Sequence, residues 1–354
     1  MKNIDQYKVF AHDSIRDAVK KIDEGGLGFC VCVDEGDCVI GVVTDGDFRR
    51  AVHQGIELDE NILEIANRNF LSVQKNYDKQ EVEKIFKNSI IQQVPVLEEG
   101  KLIGIITVEE FYGVDKGKKR RILNSPVVIM AGGKGTRLDP FTRILPKPLI
   151  PLGNDPIIKV IMDEFHKFGM NHFIISLNDK ERMVKAYFHD HQLSYQISYV
   201  QEETPLGTAG ALKYLEGRVK EAFFVSNCDI IIRTDYGSFY DFHKDGGYAL
   251  TMVGSMRQYT IPYGVCDVDN AGMLKAMREK PQYDFLVSTG MYLLEPSVLK
   301  FIPEGEHFNM TDLIRKVQQS GLKVGIFPVS ERSWIDIGQL SEYKEIINKM
   351  NLHL

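Results

Sequence analysis

Between Ala131 and Leu149 the chain reads AGGKGTRLDPFTRILPKPL. Gly132, Gly133 and Gly135 stand among Lys134, Arg137, Arg143 and Lys147, and Pro140, Pro146 and Pro148 stiffen the same stretch. Glycines let backbone N–H groups approach anionic oxygens. A guanidinium offers a planar fork to two oxygens, and an ammonium offers a point charge. Prolines on both sides of Lys147 restrict its backbone. The chemistry these residues suit is the holding of a triphosphate.

Two familiar nucleotide patterns do not fit. The P-loop ends in Gly-Lys-Ser/Thr, which this loop lacks. The dinucleotide fingerprint needs a third glycine where Leu138 stands. Asp155 follows Gly135 by twenty residues, but in the turn sequence GNDP rather than at a strand end.

The elements that must position the loop are legible around it. The apolar run Val127–Met130 leads straight into the glycines and reads as a strand buried on both faces. Similar runs occur in HFIISL, AFFVSNCD, YALTMVG and KVGIFPV. Helical patterns lie between several of them: PIIKVIMDEFHKFGM, ERMVKAYFHDH and GTAGALKYLEG. This alternation predicts an α/β fold with a mostly parallel sheet, whose ligands sit beyond the carboxyl ends of the strands.

The stretch Gly132–Leu149 matches G-G-x-G-T-R-L-x-P-x-T-x-x-x-P-K-P-L without a gap. It resembles the sugar-phosphate nucleotidyltransferases, or nucleoside-diphosphate-sugar pyrophosphorylases, and the resemblance extends to about residue 349. It implies a Rossmann-like domain that joins a nucleoside triphosphate to a sugar 1-phosphate. Arg137 and Lys147 are then the catalytic cations, and Gly132, Gly133, Gly135 and Thr136 line the nucleotide. In QEETPLGTAGAL the resemblance assigns Gln201 to the base and Gly207 and Thr208 to the nucleotide; a helix cap is the plainer role for the last two. Gly264, Glu279, Lys280, Thr289 and Gly290 fall on the sugar-phosphate side, where Ser288 departs from the asparagine of several relatives. Asp229 and Asp336 take the places of ligands to Mg2+, against a helix N-cap and a turn aspartate as the alternatives.

The front of the chain is duplicated. VIGVVTDGDFRRAV from Val39 and LIGIITVEEFYGVD from Leu102 are offset by 63 residues, and the offset holds upstream, with Phe10 on Val73 and Val33 on Val96. Each copy reads as helix, strand, turn, strand, helix. The pair resembles tandem cystathionine-β-synthase-type (CBS) modules over about residues 4–115. That likeness places an adenine nucleotide's ribose at Thr44 and Asp47; the second copy has Thr107 but Glu110. It implies a homo-oligomer and a regulatory nucleotide, with a pair that only dimerises as the alternative. The expected divisions are 1–118 for the pair (copies 1–62 and 63–118), 119–125 for a basic linker and 126–354 for the transferase. The two-part architecture resembles the bacterial glucosamine-1-phosphate guanylyltransferases of legionaminic acid synthesis. This implies GTP and glucosamine 1-phosphate, with mannose or heptose 1-phosphate, another base, or an inactive nucleotide-binding regulator as alternatives.

Composition excludes other classes. Over 354 residues the formal charge is −6, which disfavours nucleic acid as a partner. No apolar run is long enough for a membrane span, and MKNIDQYKVFAHDS has no secretory apolar core, so a cytoplasmic protein is expected. Five cysteines without a C-x-x-C, and histidines without H-E-x-x-H, give no zinc pattern.

Overall fold

In a computed structural model, residues 4–88, 91, 93–107, 111, 121–191, 193–329 and 331–349 are described. Glu110, most of the second copy's last helix and residues 119–120 of the expected linker lie outside them. The chain divides into two units, Met1–Lys119 and Arg120–Leu354.

In the first unit the duplication becomes two three-stranded sheets. The first copy runs β1 (Lys8–Phe10), α1 (Ile15–Gly25), β2 (Phe29–Val33), β3 (Val39–Thr44) and α2 (Asp45–Gln54). The second runs β4 (Val73–Gln74), α3 (Lys79–Asn88), β5 (Gln93–Glu98) and β6 (Lys101–Thr107). The parallel pairing of Phe10 with Val33 recurs 63 residues on as Val73 with Val96. Helix α1 begins at a Ser14–Asp17 capping box, buries Ile15, Ala18 and Ile22 on one face, and stops at left-handed Gly26. Every residue of β2 is buried. Cys30 and Cys32 are free thiols there, and burial pushes Cys32 up to about 12. Phe29, Val31, Val33 and Val42 of the first copy share one core with Leu97 and Leu102 of the second.

The second unit is built on a seven-stranded sheet. Its members are β7 (Val127–Met130), β10 (His172–Leu177), β11 (Gln196–Gln201), β12 (Phe223–Asn227), β14 (Leu250–Thr260), β17 (Gln282–Leu294) and β18 (Val324–Val329), in the order β11-β10-β7-β12-β17-β14-β18. Two small strands, β8 (Pro151–Leu152) and β9 (Asp155–Pro156), pair beside it. Strands β13 (Ile230–Ile232) and β19 (Trp334–Asp336) form another pair, as do β15 (Val265–Val268) and β16 (Leu274–Arg278). Only β17 runs against its neighbours in the main sheet; the other pairings are parallel. The centre of the sheet is apolar on both faces. Val127 and Ile129 pack with Phe173 and Phe224 on one side, and Val128 packs with Ile174 and Val225 on the other. The carboxyl ends of β7, β10, β11 and β12 therefore lie side by side, and the glycine loop starts there.

One expected helix differs. GTAGALKYLEG forms only a 3-10 segment, Gly210–Leu215. A Cβ at Gly207 would stand 2.7 Å from the Phe308 carbonyl oxygen, and one at Gly210 would stand 2.9 Å from that of Glu306. These glycines serve close backbone approach, which the helical pattern of the surrounding apolar residues conceals.

His243, in the helix Tyr236–Asp245, is fully buried, with Nδ1 2.7 Å from Thr251 Oγ1 and Nε2 3.3 Å from Glu295 Oε1. Burial lowers its pKa against the opposing pull of Glu295. The unfolded chain then binds this proton more readily, near the ordinary value of about 6.5, so stability rises with pH through that window and is lost as pH falls below it. Unfolding free energy is expected to drop from pH 7 to pH 5, this ring contributing at most about 1.4 kcal/mol per pH unit. Denaturant titration of His243→Gln should show a flatter dependence; an unchanged slope refutes the assignment.

Candidate active site

Strand β12 ends in Asn227, and Cys228 and Asp229 follow. Asp229 leads into β13, which pairs antiparallel with β19 so that Ile230 faces Asp336 and the Ile337 N–H donates to the Asp229 carbonyl at 2.8 Å. This small ladder brings together two aspartates far apart in the chain. Gly338 marks where they meet. A Cβ placed there would lie 2.8 Å from Asp229 Oδ2, 2.8 Å from Asp336 Oδ1 and 3.6 Å from Arg137 Nη2. Burial pushes the Asp336 carboxyl up; the Gly338 N–H opposes the shift and the Asp229 charge adds to it.

The helix-cap alternative for Asp229 does not hold, because Asp235 caps the helix Tyr236–Asp245. The turn alternative for Asp336 is present: its Oδ1 accepts from the Gly338 N–H at 2.7 Å. Asp336 thus closes a turn and also faces Asp229.

Lys147 reaches this pair from the signature loop and forms an ion pair with Asp229 through Nζ and Oδ2. Burial pulls the ammonium's pKa down, but Cys228 and Asp229 together raise it above the ordinary lysine value. Burial also pushes the Cys228 thiol up to about 12, so it is neutral and the charge holding Lys147 is that of Asp229. The loop is shaped to deliver this lysine. Gly135 is left-handed, with φ 68°, and a Cβ there would stand 2.8 Å from Thr142 Cγ2 and 3.0 Å from Lys147 Cβ. The Thr142 hydroxyl donates to the Gly135 carbonyl at 3.0 Å, and Lys180 Nζ donates to the Thr142 carbonyl.

Two converging carboxylates beside a side-chain-free position fit a hard divalent cation, which takes one or two protein carboxylates with water and phosphate oxygens. Among the described residues no group of three or more His, Cys, Asp or Glu is placed to hold a metal. Gly338→Ala is expected to crowd both oxygens while leaving the backbone unstrained, since Gly338 is not left-handed. The expected result is turnover about tenfold to a hundredfold lower, with the magnesium requirement raised, in assays across magnesium concentrations.

The other predicted residues separate into groups. Gly133, Lys134, Thr136 and Arg137 are exposed in the loop or the 3-10 turn after it. Gln201 ends β11 and is exposed, whereas Glu202 beside it is buried. Thr208 is drawn elsewhere: its hydroxyl accepts from the Met310 N–H at 2.8 Å, where the helix Met310–Gln319 begins. It satisfies the first amide of a distant helix whose own N-cap is Asn309, not that of the helix its sequence suggested. Gly264 lies against Glu279, with a Cβ there 3.0 Å from Glu279 Oε2. Glu279 and Lys280 are exposed, and Lys280 is left-handed at φ 45°. Thr289 is buried and donates to the Val253 carbonyl at 3.0 Å. Gly290, at φ 90°, makes room for Asn227, whose Nδ2 would be 2.5 Å from a Cβ there.

Sequence reasoning passed over Glu202, Asn227 and Gly338, although all three adjoin residues it named. A cleft of about 550 Å³ lined by Pro126, Ile174, Val200 and Arg218 lies at the amino ends of β7, β10 and β12, away from Asp229. Charge and glycine geometry mark the site here, rather than cavity size.

In the first unit, Thr44 and Asp47 close a capping box on α2. Thr44 Oγ1 donates to Asp47 Oδ2 at 2.6 Å, the Thr44 N–H donates to the same oxygen at 2.9 Å, and Arg50 donates to Asp47 Oδ1 at 2.5 Å. Capping accounts for the T-x-x-D spacing by itself.

A glycine bend thus delivers a lysine onto one of two facing carboxylates at the end of the mostly parallel sheet of an α/β domain. The chain belongs to the nucleotidyl transferase family, which it matches over 126–352, and it carries CBS domains matching at 4–54 and 62–115. It is similar to a UTP–glucose-1-phosphate uridylyltransferase of Synechocystis, 29% identical over 241 residues that cover 62% of each chain. It is also similar to a mannose-1-phosphate guanyltransferase of Candida albicans, 32% identical over 232 residues covering 61% of this chain and 62% of that one. The chain thus spans about three fifths of the length of these curated relatives. Among solved structures it resembles HddC from Yersinia pseudotuberculosis, with a TM-score of 0.51 and 25% identity over 64% of this chain and 99% of that one. No helix among the described residues is long and apolar enough to cross a membrane.

Proposed function

We propose that the protein is a sugar-1-phosphate nucleotidyltransferase that transfers GMP from GTP to glucosamine 1-phosphate, giving GDP-glucosamine and pyrophosphate. The observation that carries the class is Lys147, delivered by the signature loop onto Asp229 and facing Asp336. An oxygen of the sugar phosphate bonds to the α-phosphorus, and the bond from that phosphorus to the bridging oxygen breaks as pyrophosphate leaves. The nucleophile is already an anion near neutral pH, so no general base is needed. The protein's task is to bring two polyanions together and neutralise them. In this reading Arg137 steadies the triphosphate and the leaving pyrophosphate, and Lys147 passes between phosphates. Gly132, Gly133, Gly135 and Gln201 meet the nucleotide, and Gly264, Glu279 and Lys280 meet the sugar phosphate. Asp229 and Asp336 would hold Mg2+, which when bound offsets the charge of the triphosphate. The CBS pair would take a regulatory nucleotide at Thr44 and Asp47 and join copies of the chain. The cytoplasm, where these substrates occur, is the compartment assigned.

GTP and glucosamine 1-phosphate rest on the likeness of the two-part architecture, not on a base-reading contact. A second reading, transfer to mannose 1-phosphate, is favoured by the similarity to the Candida albicans protein named for that reaction. The deciding experiment measures pyrophosphate release with magnesium, crossing four nucleoside triphosphates with glucosamine, N-acetylglucosamine, glucose, mannose and heptose 1-phosphates. Release with GTP and glucosamine 1-phosphate alone supports the full reading. Release with another pair keeps the class and replaces the substrates, and no release with any pair counts against the class.

A further inference from the structure

The hairpin of β15 and β16 stands outside the core, and every residue from Ala271 to Lys280 is exposed. Its two faces differ. Cys266 pairs with Met277, and Val268 pairs with Leu274. Directly opposed residues share a face, and residues two apart on a strand do too, so these four lie on one side. Val265 pairs with Arg278 and Asp267 with Ala276 on the other side, where Arg278 Nη2 donates to Asp267 Oδ2 at 3.3 Å. One face is therefore closed by an ion pair and the other is bare. Val268 is 59% exposed, Leu274 56% and Met277 61%, and Met273, just before β16, is 68% exposed. Cys266 is exposed beside them as a free thiol.

A two-stranded hairpin exposed on both faces is marginal in water. A contiguous apolar patch of more than a few hundred Å2 marks an interaction site. The edge of this hairpin is guarded against strand addition. Its register slips between Asp267 and Val268, which leaves Lys275 as an extra residue in β16. A bulge and a lysine on an edge strand both discourage further pairing. The apolar face is what remains open, and its side chains, a thiol apart, offer no hydrogen bond to a sugar or a phosphate. We propose that this face is an interface with a second copy of the chain, two hairpins packing apolar face to apolar face. Such a contact is self-complementary, because the same uncharged patch serves both sides. Two of these faces together offer on the order of 1,000 Å2, the area a specific contact needs. The contact reaches the sugar-phosphate side as well. A Cβ built on Gly264 would lie 2.5 Å from Met277 Cε and 3.0 Å from Glu279 Oε2, so the interface methionine and the candidate sugar-binding carboxylate lie against the same glycine. Packing from a partner copy therefore orders the base of the hairpin, where Gly264, Glu279 and Lys280 stand. This second step rests on the nucleotidyltransferase reading; the interface itself does not.

The test changes Val268 and Leu274 together. In the double variant Val268→Lys, Leu274→Glu the new charges oppose each other across the strands, so the hairpin keeps its pairing while the face loses its apolar character. The mass of the full chain in sedimentation equilibrium is expected to fall by about half or more. Alkylation of Cys266, followed by peptide mass spectrometry, is expected to run about tenfold faster in the double variant, because no partner covers the thiol. Cys228 is buried in the core and stays unreacted, which shows that the variant is folded. With magnesium, the KM for glucosamine 1-phosphate is expected to rise about fivefold, and the KM for GTP to change less than about twofold. An unchanged mass, or a Cys266 equally reactive in both proteins, overturns the interface. Both KM values unmoved beside a halved mass overturn the link to the sugar-phosphate side. If the unaltered protein turns over no sugar phosphate, the nucleotidyltransferase reading fails, while mass and thiol reactivity still decide the interface.

Discussion

Lys147→Ala is expected to lower kcat about a thousandfold, or about 4 kcal/mol of transition-state stabilisation, in a protein that still folds. The size follows from placement. Lys147 is mostly buried, its pKa is raised, and it stands on Asp229 at the carboxylate pair. A preformed charge at such a point needs no reorganisation when negative charge moves between phosphates. The substitution also leaves the buried Asp229 without its counter-ion, beside Asp336, so some loss of stability accompanies it. Turnover is therefore normalised to folded protein by near-UV circular dichroism. Lys147→Arg should recover little, because Gly135 and Thr142 close around the lysine stem and a planar fork is a different shape. Full activity in Lys147→Ala would sink the reading of the site.

Asp229→Asn is expected to reduce turnover by a similar factor and, in addition, to change its pH dependence. With Asp229 charged, the lysine holds its proton above the ordinary range despite burial. Without that charge, burial remains and pulls the ammonium pKa down. The charged form is the one that meets phosphate, so residual activity is lost as pH rises, and the basic limb of the kcat/KM profile shifts to lower pH than in the unaltered protein. A reduced rate with an unshifted basic limb would mean that the Lys147–Asp229 contact does not govern the lysine's charge.

Residues that act locally were the legible ones. The run Val127–Met130 and the glycines after it declare a strand and a bend by composition alone. Asp229 and Asp336 could be named because the family resemblance places a ligand where FFVSNCD ends and another in SWIDIG. That the two aspartates face one another depends on the β13–β19 pairing, which joins segments with no sequence signal for each other. Glu202, Asn227 and Gly338 were missed for the same reason: each owes its role to a contact with a distant glycine or carboxylate. Thr208 shows the reverse case. Its sequence position announced a cap for the segment after it, but its hydroxyl meets the first amide of the helix beginning at Met310, whose N-cap is Asn309. The resemblance gave the T-x-x-D of the first CBS copy one role, a ribose contact; the capping box it also builds shows only in the geometry.

The shared core of the duplicated region bears on how that region comes apart. Phe29, Val31 and Val33 of the first copy are covered partly by Leu97 and Leu102 of the second. A single copy would leave part of that apolar face uncovered. The two halves are therefore expected to unfold together, in one transition by calorimetry. Cutting the chain between them would yield not two modules but two incomplete ones.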